Sequence, residues 1–447
     1  MRKNHLLEGS ILKSIIIISI PIIFANVLQT VYQLIDTFWV GRLGAEAVAA
    51  VSLSFPILFF LVSLAMGLTM AGSILIAQYN GKGDSEKVSL SLGQTFSLVL
   101  IIAVILGMVG YFSSYYLLSL LTKDALVLGP ATAYLKILFA AIPGMFAYMI
   151  FQASMNSIGK VKLPMYVVLF TVILNFFLDP LLMFGWKFLP GMGVAGVALA
   201  TLITQYLSAI IGLIVLASGK LGAKLRIKYI LPRFSWVKKI FLLGMPSSFE
   251  MSSRSFGMVL MTFVVSALGT LVVAAFGIGT RILSFIIIPA IGFSIATTSL
   301  VGNNLGARQL SRAEKIAKAG MKIAFWTLFV SGIILFVFAS QISSFLVPNE
   351  PELVAMASNF IRIMSLTFGF IGIQMVITGT LKASGKTTTS MFLAMFFSFS
   401  LVIIGFFLSR IFGALGIWAA YPSANTLSLA LALYFYKKKD WLRKKLV

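Results

Sequence analysis

The stretch NVLQTVYQLIDTFWVGRLG, residues 26–44, is apolar enough to cross a membrane as a helix, yet it carries a carboxylate, Asp36, well inside it. The nearest basic residue along the chain is Arg42. An ionised side chain in the hydrocarbon costs at least about 2.5 to 3.5 kcal/mol, so such a residue should face a protein interior and serve a function. The remainder of the chain indicates what kind of protein holds it.

The composition indicates an integral membrane protein. Of the 447 residues 60% are apolar and 11% are charged, and the mean hydropathy is +1.03, which is too apolar for a water-facing surface. Apolar runs long enough to span about 30 Å of hydrocarbon recur about twelve times. The first run is longer than a signal-peptide core and no cleavage site follows it, so we expect it in the mature chain. We predict transmembrane helices near residues 14–40, 47–77, 92–118, 129–156, 164–185, 193–218, 240–268, 271–300, 319–346, 354–380, 389–409 and 413–436.

The basic residues predict the orientation of the chain. With these spans, 26 of the 35 Lys and Arg residues fall on one side, at the termini and in alternate loops. The positive-inside rule then predicts a multi-pass protein of the cell membrane with both termini in the cytoplasm. The net charge of +23 is therefore interpreted as a topology signal, with the lipid bilayer and not nucleic acid as the partner. The absence of Cys excludes thiolate metal sites and Cys nucleophiles, and the single His5 is expected outside the membrane, near the N-terminus.

The second half of the chain repeats the first. An offset of half the chain aligns Pro21 with Pro246 and Gly44 with Gly269 without a gap. Because this offset spans an even number of helices, it predicts two like-oriented six-helix lobes around a central cleft, related by an axis along the membrane normal. The fold class is therefore an all-α integral membrane protein with twelve transmembrane helices. The predicted boundaries are an N-terminal lobe at 1–218, a basic cytoplasmic linker at 219–239 and a C-terminal lobe at 240–447.

Two carboxylates lie at one depth within the first half. Asp36 and Asp179 precede the nearest outer Lys or Arg by six and eight residues, which places both roughly 9 to 12 Å inside that boundary. The repeat aligns them with Met261 and about Gly405, so the second half lacks both acids, and a feature of one repeat only is more typical of function than of fold. Burial and a neighbouring carboxylate both disfavour the charged form. Such a pair suits proton exchange, or Na⁺ binding with neutral oxygen ligands.

Polar neighbours support this interpretation. Asn175 is four residues before Asp179 and lies on the same helix face. Gln29 is seven residues before Asp36, two turns away on its face. The alternative for the two acids is a purely structural buried polar contact.

Two prolines can bend the helices that carry these acids. Pro180 directly follows Asp179 in LNFFLDP, so it removes one backbone hydrogen bond and bends the helix or frees a carbonyl. Pro21 can act in the same way in the first span. An inert kink is the alternative for each.

Two further features have local structural interpretations. Glu250 near the cytoplasmic start of the seventh span can pair with Arg254 at i+4. The stretch GTLKASGKT, residues 379–387, resembles a phosphate-binding loop, but its glycine spacing is wrong and no strand precedes it. We interpret it as a turn between two helices.

Several motifs along nearly the full length match one family of membrane proteins. They are Pro21, Gln29, YQLIDTFWVGRLG with Asp36, LNFFLDP with Asn175 and Asp179, GVAGVALAT ending at Thr201, and the second-half echo GMPSSFE with SALGT. In these motifs the chain resembles the multidrug and toxic compound extrusion (MATE) family. The resemblance implies export of cationic or amphipathic drugs and metabolites, in exchange for H⁺ or Na⁺ and with no other cofactor.

The resemblance also implies roles for single residues. Acids confined to the first lobe are similar to those of the DinF-like branch, in which Asp36 and Asp179 would form the proton or sodium site. Their implied polar partners are Gln29, Asn175 and Thr201, and the implied Na⁺ ligands are Asp36, Asp179, Asn175 and Thr201. Pro21 would bend the first helix, with Pro180 as a second bending position. Tyr32, together with Asp36 and Asp179, is a candidate for the substrate cleft.

We therefore predict a secondary active multidrug antiporter, not an enzyme, that works by alternating access on small organic compounds and can function as a monomer. A lipid-linked saccharide flippase of the same superfamily is the nearest alternative, because Lys136, Arg254, Arg281 and Arg362 could hold a pyrophosphate. An intramembrane aspartyl protease also uses two membrane Asp residues, but neither Asp36 nor Asp179 lies in a Tyr-Asp or Gly-x-Gly-Asp context.

Overall fold

A computed structural model of the chain describes residues 5–187, 189–443 and 446–447. The first half contains α1 (Ile11–Gly41), α2 (Ala45–Lys82), α3 (Ser85–Ser119), α4 (Ala125–Ser157), α5 (Lys162–Phe184), a short antiparallel pair β1 (Gly185–Trp186) and β2 (Leu189–Pro190), and α6 (Val194–Ser218). A 3₁₀ turn (Ile227–Tyr229) follows. The second half contains α7 (Phe234–Ser266), α8 (Thr270–Gly306), α9 (Leu310–Leu346), α10 (Pro351–Ser365), α11 (Phe368–Ala383), α12 (Thr387–Phe412), α13 (Ala414–Lys437) and α14 (Asp440–Arg443).

The helices confirm the predicted all-α membrane fold. Among the described residues, nine helices are long and apolar enough to cross a membrane, and α10 with α11 forms a tenth span that is bent by 50°. Helices α7 and α13 occupy the seventh and twelfth predicted positions, which gives twelve spans. The bend in the tenth span was not predicted. Thr367 lies at the break, where its hydroxyl accepts a 3.1 Å hydrogen bond from the Asn425 side chain of α13.

The chain forms two compact units, residues 24–248 and residues 1–23 with 249–447. In the 24–248 unit, α4 packs on α2, α3 and α6. In the other unit, α8, α9, α10 and α11 pack together, and α12 pairs with α13. The chain passes between the units inside α1 and α7, in each case two residues after a proline, Pro21 or Pro246. The lobe boundaries predicted from the sequence stay a prediction.

Glycines at equivalent places share unusual backbone angles, which shows the repeat in the structure. Gly193 and Gly413 begin the motifs GVAG and GALG, with φ of 55° and 58° and ψ of −133° in both. Gly159 and Gly385 end matching helices with φ of 74° and 80°. This left-handed region is readily open only to glycine. Gly385 lies in the turn between α11 and α12, so the stretch GTLKASGKT is the predicted helix-to-helix turn.

The last glycine of each of these motifs allows a close backbone approach. A Cβ added at Gly196 would lie 2.4 Å from the Leu182 carbonyl oxygen, and one at Gly416 would lie 2.1 Å from that of Leu408. We expect Gly416→Ala to destabilise the protein by about 1 to 3 kcal/mol, because backbone atoms have to move to relieve the clash. Thermal unfolding in detergent measures this. The control Gly277→Ala meets no atom within 4 Å and should be neutral or slightly stabilising; equal losses in both variants would contradict the packing argument.

Candidate functional site

Asp36 of α1 and Asp179 of α5 meet inside the 24–248 unit, within hydrogen-bonding reach of each other. Asp179 and Asn175 are completely buried, and the Asn175 side-chain amide donates a 3.0 Å hydrogen bond to Asp179 Oδ1. The Thr201 hydroxyl of α6 makes a long 3.5 Å contact with Asp36 Oδ2. Four residues that the sequence singled out are therefore brought together by three helices.

Helix packing around the two acids holds them in place. A cluster of buried apolar side chains includes Val40 of α1, Leu138 of α4, Met183 of α5 and Val197 of α6. Three of them lie four residues from Asp36, Asp179 or Thr201 along the chain, and Leu138 lies on α4, which packs against α6. The apolar surroundings keep water from solvating the carboxylates, which makes their charge state sensitive to any partner that enters.

Three oxygen atoms of this site are buried and, among the described residues, have no hydrogen-bond partner: Asp36 Oδ1, Asp179 Oδ2 and Asn175 Oδ1. A buried acceptor without a donor costs about 1 to 3 kcal/mol, and more if it is charged. A proton on one carboxyl, or a cation between the oxygens, would remove this cost. Oxygen atoms are the ligands of hard cations, and with the Thr201 hydroxyl they form a set that can hold Na⁺.

The site offers few charged ligands. Within the described ranges no three His, Cys, Asp or Glu side chains lie close enough together to hold a metal ion. The charged groups of the site are therefore Asp36 and Asp179, and the Asn175 amide oxygen and the Thr201 hydroxyl are its neutral oxygen donors.

The second repeat contains the same contact without the charge. The positions aligned with the two acids are Met261 and Gly405, and a Cβ added at Gly405 would lie 2.7 Å from Met261 Cε. Met261 is completely buried. The fold thus brings these two positions together in both halves, and an apolar contact satisfies the packing in one of them. The carboxylates of the first half are not needed to build the fold.

Tyr32 lies beside the two acids, as the substrate-cleft hypothesis requires. Its hydroxyl shares a 2.7 Å hydrogen bond with the Thr204 hydroxyl, and both acids act on it electrostatically. The sequence motifs did not indicate Thr204, although it lies three residues after Thr201 and hence on the same helix face. The motifs also did not indicate Tyr134 of α4. Its side chain is buried, and the charges of both carboxylates act on it electrostatically. No local signal distinguishes Tyr134 from an ordinary core residue.

Gln29 is not brought to the acids. It is exposed and, in the part of the chain that the structure describes, makes no hydrogen bond to Asp36 or Asp179. Seven residues of α-helix correspond to about 10.5 Å along the axis, which a Gln side chain cannot bridge. Sharing a helix face is therefore not enough to make it a partner of Asp36.

The two prolines lie inside continuous helices. Helix α5 continues past Pro180 to Phe184, and Pro180 leaves the carbonyl of Phe176, four residues earlier, without its usual N–H partner. Pro21 lies inside α1, two residues before the chain passes from one unit to the other. Both positions are compatible with the predicted bending.

The predicted pairing of Glu250 with Arg254 is wrong. Glu250 is only 2% exposed, and its carboxylate forms a 2.9 Å ion pair with Lys382 Nζ and accepts a 2.8 Å hydrogen bond from the Ser390 hydroxyl. A buried carboxylate needs strong partners on every side, and Lys382 at the end of α11 supplies a charge that is itself largely shielded from water. Local i+4 spacing could not reveal a partner 132 positions away.

Comparisons with known proteins agree with this geometry. The MatE family matches residues 21–181 and 246–419 of the chain. The probable multidrug resistance protein YoeA of Bacillus subtilis is 28% identical over 452 residues, covering 98% of this chain and 96% of the relative. The FAD transporter of Shewanella oneidensis is 25% identical over 447 residues, covering 98% and 97%. A crystal structure of MATE in complex with MaL6 is similar over 100% of both chains, with a TM-score of 0.92 at 24% identity, which shows the shared fold.

Proposed function

The chain belongs to the MatE family of multi-pass membrane transporters, and from this premise we propose that it is an antiporter that exports cationic or amphipathic organic compounds in exchange for H⁺ or Na⁺. The observation that carries the proposal is the pair formed by the completely buried Asp179 and the half-buried Asp36. One side-chain oxygen of each acid and one of Asn175 are buried without a hydrogen-bond partner among the described residues. Membership of the family supports transport of small organic compounds at the plasma membrane. The carboxylate pair supports the two further parts of the proposal, namely that transport is coupled to H⁺ or Na⁺ and that the ion and the compound are exchanged.

The pair can couple two ligands because its free energy depends on whether a cation is bound. When the site is empty, two desolvated carboxylates repel each other; a proton or Na⁺ relieves this repulsion. A shift of one pKa unit corresponds to about 1.36 kcal/mol, so modest differences between two conformations suffice for coupling. Confinement of the acids to the first repeat supports placement in the DinF-like branch.

Helix α1 can transmit the loading of the site. It carries Asp36 in its last turns and Pro21 near the point where the chain leaves the 24–248 unit. The proline ring prevents one backbone hydrogen bond, so bending there costs less than elsewhere in the helix. In this mechanism, cation binding at Asp36 and Asp179 favours a bend at Pro21, and the substrate leaves before the cation is released on the other side. Both termini lie in the cytoplasm, and a monomer suffices because one chain carries both repeats.

The test is ion-driven transport by the purified, full-length protein in liposomes. Vesicles are loaded with an amphipathic fluorescent dye, cationic in one series and anionic in another, and a pH gradient or a Na⁺ gradient is imposed separately. We expect one of the two gradients to drive dye movement well above the rate in protein-free vesicles. If neither gradient accelerates either dye, the antiport proposal is wrong, and flipping of lipid-linked saccharides becomes the reaction to measure.

The hydrogen bond between Asn175 and Asp179 yields a graded prediction. We expect Asn175→Leu to slow gradient-driven transport by about tenfold or more, because a hydrogen bond to a charged group contributes about 1.5 to 3 kcal/mol. Gln29→Leu is the matched control, since Gln29 is exposed and distant from the acids, and it should transport at nearly the wild-type rate. If Gln29→Leu slows transport more than Asn175→Leu does, Gln29 and not Asn175 supplies the amide of the site.

A further inference from the structure

Two arginines without partners lie in the membrane-spanning part of the 249–447 unit. Arg254 of α7 is half-buried and Arg281 of α8 is exposed. Throughout the described residues, neither guanidinium forms an ion pair, a hydrogen bond or a ring contact. An ionisable group inside a membrane helix that is not paired with another protein group marks a substrate or ion pathway.

Both arginines lie near the middle of the membrane. Arg254 is twelve residues before the end of α7 at Ser266, and Arg281 is eleven residues after the start of α8 at Thr270. At about 1.5 Å per residue each lies roughly 16 to 18 Å below the helix ends, half of a hydrocarbon layer about 30 Å thick. Helices α7 and α8 follow each other through a short turn and share one apolar cluster, so the two residues stand at the same level of one hairpin.

The other two cations that the flippase alternative would use differ from this pair. Lys136 Nζ lies 5.5 Å from the centre of the Tyr111 ring. Arg362 donates a 3.0 Å hydrogen bond to the Ser340 hydroxyl and a weaker one to a backbone carbonyl. Lys136 and Arg362 thus have polar or ring contacts, whereas within the described ranges the guanidinium groups of Arg254 and Arg281 have no such contact. The four cations that a pyrophosphate site would use are thus reduced to two that are free to bind a ligand.

The acids of this unit do not neutralise the pair. Glu250 lies one helical turn from Arg254, but Lys382 and Ser390 engage its two oxygens. The other acidic residues described in this unit lie at helix ends or in loops. A lone guanidinium in hydrocarbon is very costly, and from mid-membrane it cannot extend to either interface. The pair therefore faces water and is available to an anion that enters from it.

We propose that Arg254 and Arg281 form the recognition site for an anionic group, a carboxylate, sulfonate or phosphate, on an amphipathic transported compound. A guanidinium presents two parallel N–H donors that match two oxygens of such a group. Met258 and Phe285 each follow one of the arginines by four residues and are exposed on the same helix faces, where they can contact the apolar body of the compound. This inference rests on the proposed transport function and narrows its substrate class.

Equilibrium binding without any ion gradient tests the inference separately from coupling. Full-length protein in detergent is titrated into two xanthene dyes, anionic carboxyfluorescein and cationic rhodamine 6G, and fluorescence anisotropy is recorded. We expect the wild type to bind carboxyfluorescein more tightly. Arg254→Gln and Arg281→Gln should each raise its Kd by about tenfold or more, because each removes a charge-assisted contact. Binding of rhodamine 6G should be unchanged or tighter.

Two further variants make the result specific. Arg281→Lys retains the charge but loses the paired donors, so it should bind carboxyfluorescein between the wild type and Arg281→Gln. Arg410→Gln removes one exposed charge at the outer end of α12, where the guanidinium stacks on Phe406, and should leave binding unchanged. The inference is wrong if the wild type binds rhodamine 6G at least as tightly as carboxyfluorescein or does not bind carboxyfluorescein. It is also wrong if Arg254→Gln and Arg281→Gln bind carboxyfluorescein as the wild type does.

Discussion

Asp36→Asn and Asp179→Asn are each expected to reduce gradient-driven transport to the level of protein-free vesicles. Asn has nearly the shape of Asp but cannot gain or lose a proton and binds Na⁺ without a charge, so the free energy of the site no longer depends on the coupling ion in the same way. The initial rate of dye movement under the gradient that drives the wild type is the measurement. Binding of the anionic dye without a gradient should survive, because the proposed anion site consists of Arg254 and Arg281 and not of the carboxylate pair.

The control for this result is Glu46→Gln, which removes an exposed acid from the first turn of α2 in the same unit. It should transport as the wild type does. Thermal unfolding of the two Asn variants should show no large loss of stability, since the second repeat packs the equivalent positions without any charge. If Asp36→Asn or Asp179→Asn retains wild-type, gradient-dependent transport, that carboxylate is not part of the coupling site.

The sequence predicted the fold well because membrane spans follow from length and apolarity. Twelve runs of residues were predicted. Within the described residues nine helices are long and apolar enough to be spans, α10 with α11 forms a tenth that is bent at Thr367, and α7 and α13 occupy the two remaining positions. Neither Pro nor Gly stands at that break, so the pattern contained no signal for it. At the break, the Asn425 side chain of α13 donates a hydrogen bond to the Thr367 hydroxyl, and a contact with another helix cannot be inferred from the local sequence.

The candidate site was predicted in part, and depth in the membrane explains which part. Asp36 and Asp179 could be paired across 143 positions because both lie at one level and both interrupt apolar runs. Asn175 followed from its place one turn before Asp179. Gln29 did not follow, since periodicity gives the face of a helix but not the reach of a side chain. Thr201 is the residue for which the family resemblance was needed.

The partner of Glu250 shows the opposite limit. Its i+4 neighbour, Arg254, offered a local explanation, and helix spacing alone favours such pairs. In the structure Glu250 forms its ion pair with Lys382 and not with Arg254. Both side chains of this pair are shielded from water, which strengthens the attraction between their charges. As a consequence, Arg254 has no ion-pair partner in the part of the chain that the structure describes.

Lys382→Met is expected to destabilise the protein by about 3 to 5 kcal/mol, which is the usual cost of leaving one member of a buried ion pair without its partner. The Lys382 side chain is 12% exposed and that of Glu250 is 3% exposed, so water cannot replace the lost charge. Thermal and denaturant unfolding in detergent measure the loss. The control Lys318→Met breaks an ion pair whose lysine is 59% exposed, and it should cost less than about 1 kcal/mol.

The double variant Glu250→Gln with Lys382→Met distinguishes a buried charge from a lost packing contact. If the destabilisation comes from the uncompensated carboxylate, removing that charge should restore most of the stability, because neutral side chains of similar volume often replace buried ion pairs without loss. Ser390 can still donate its hydrogen bond to the amide oxygen of the introduced glutamine. If the double variant is as unstable as Lys382→Met, the packing of the lysine stem, and not its charge, holds α7 against α11 and α12.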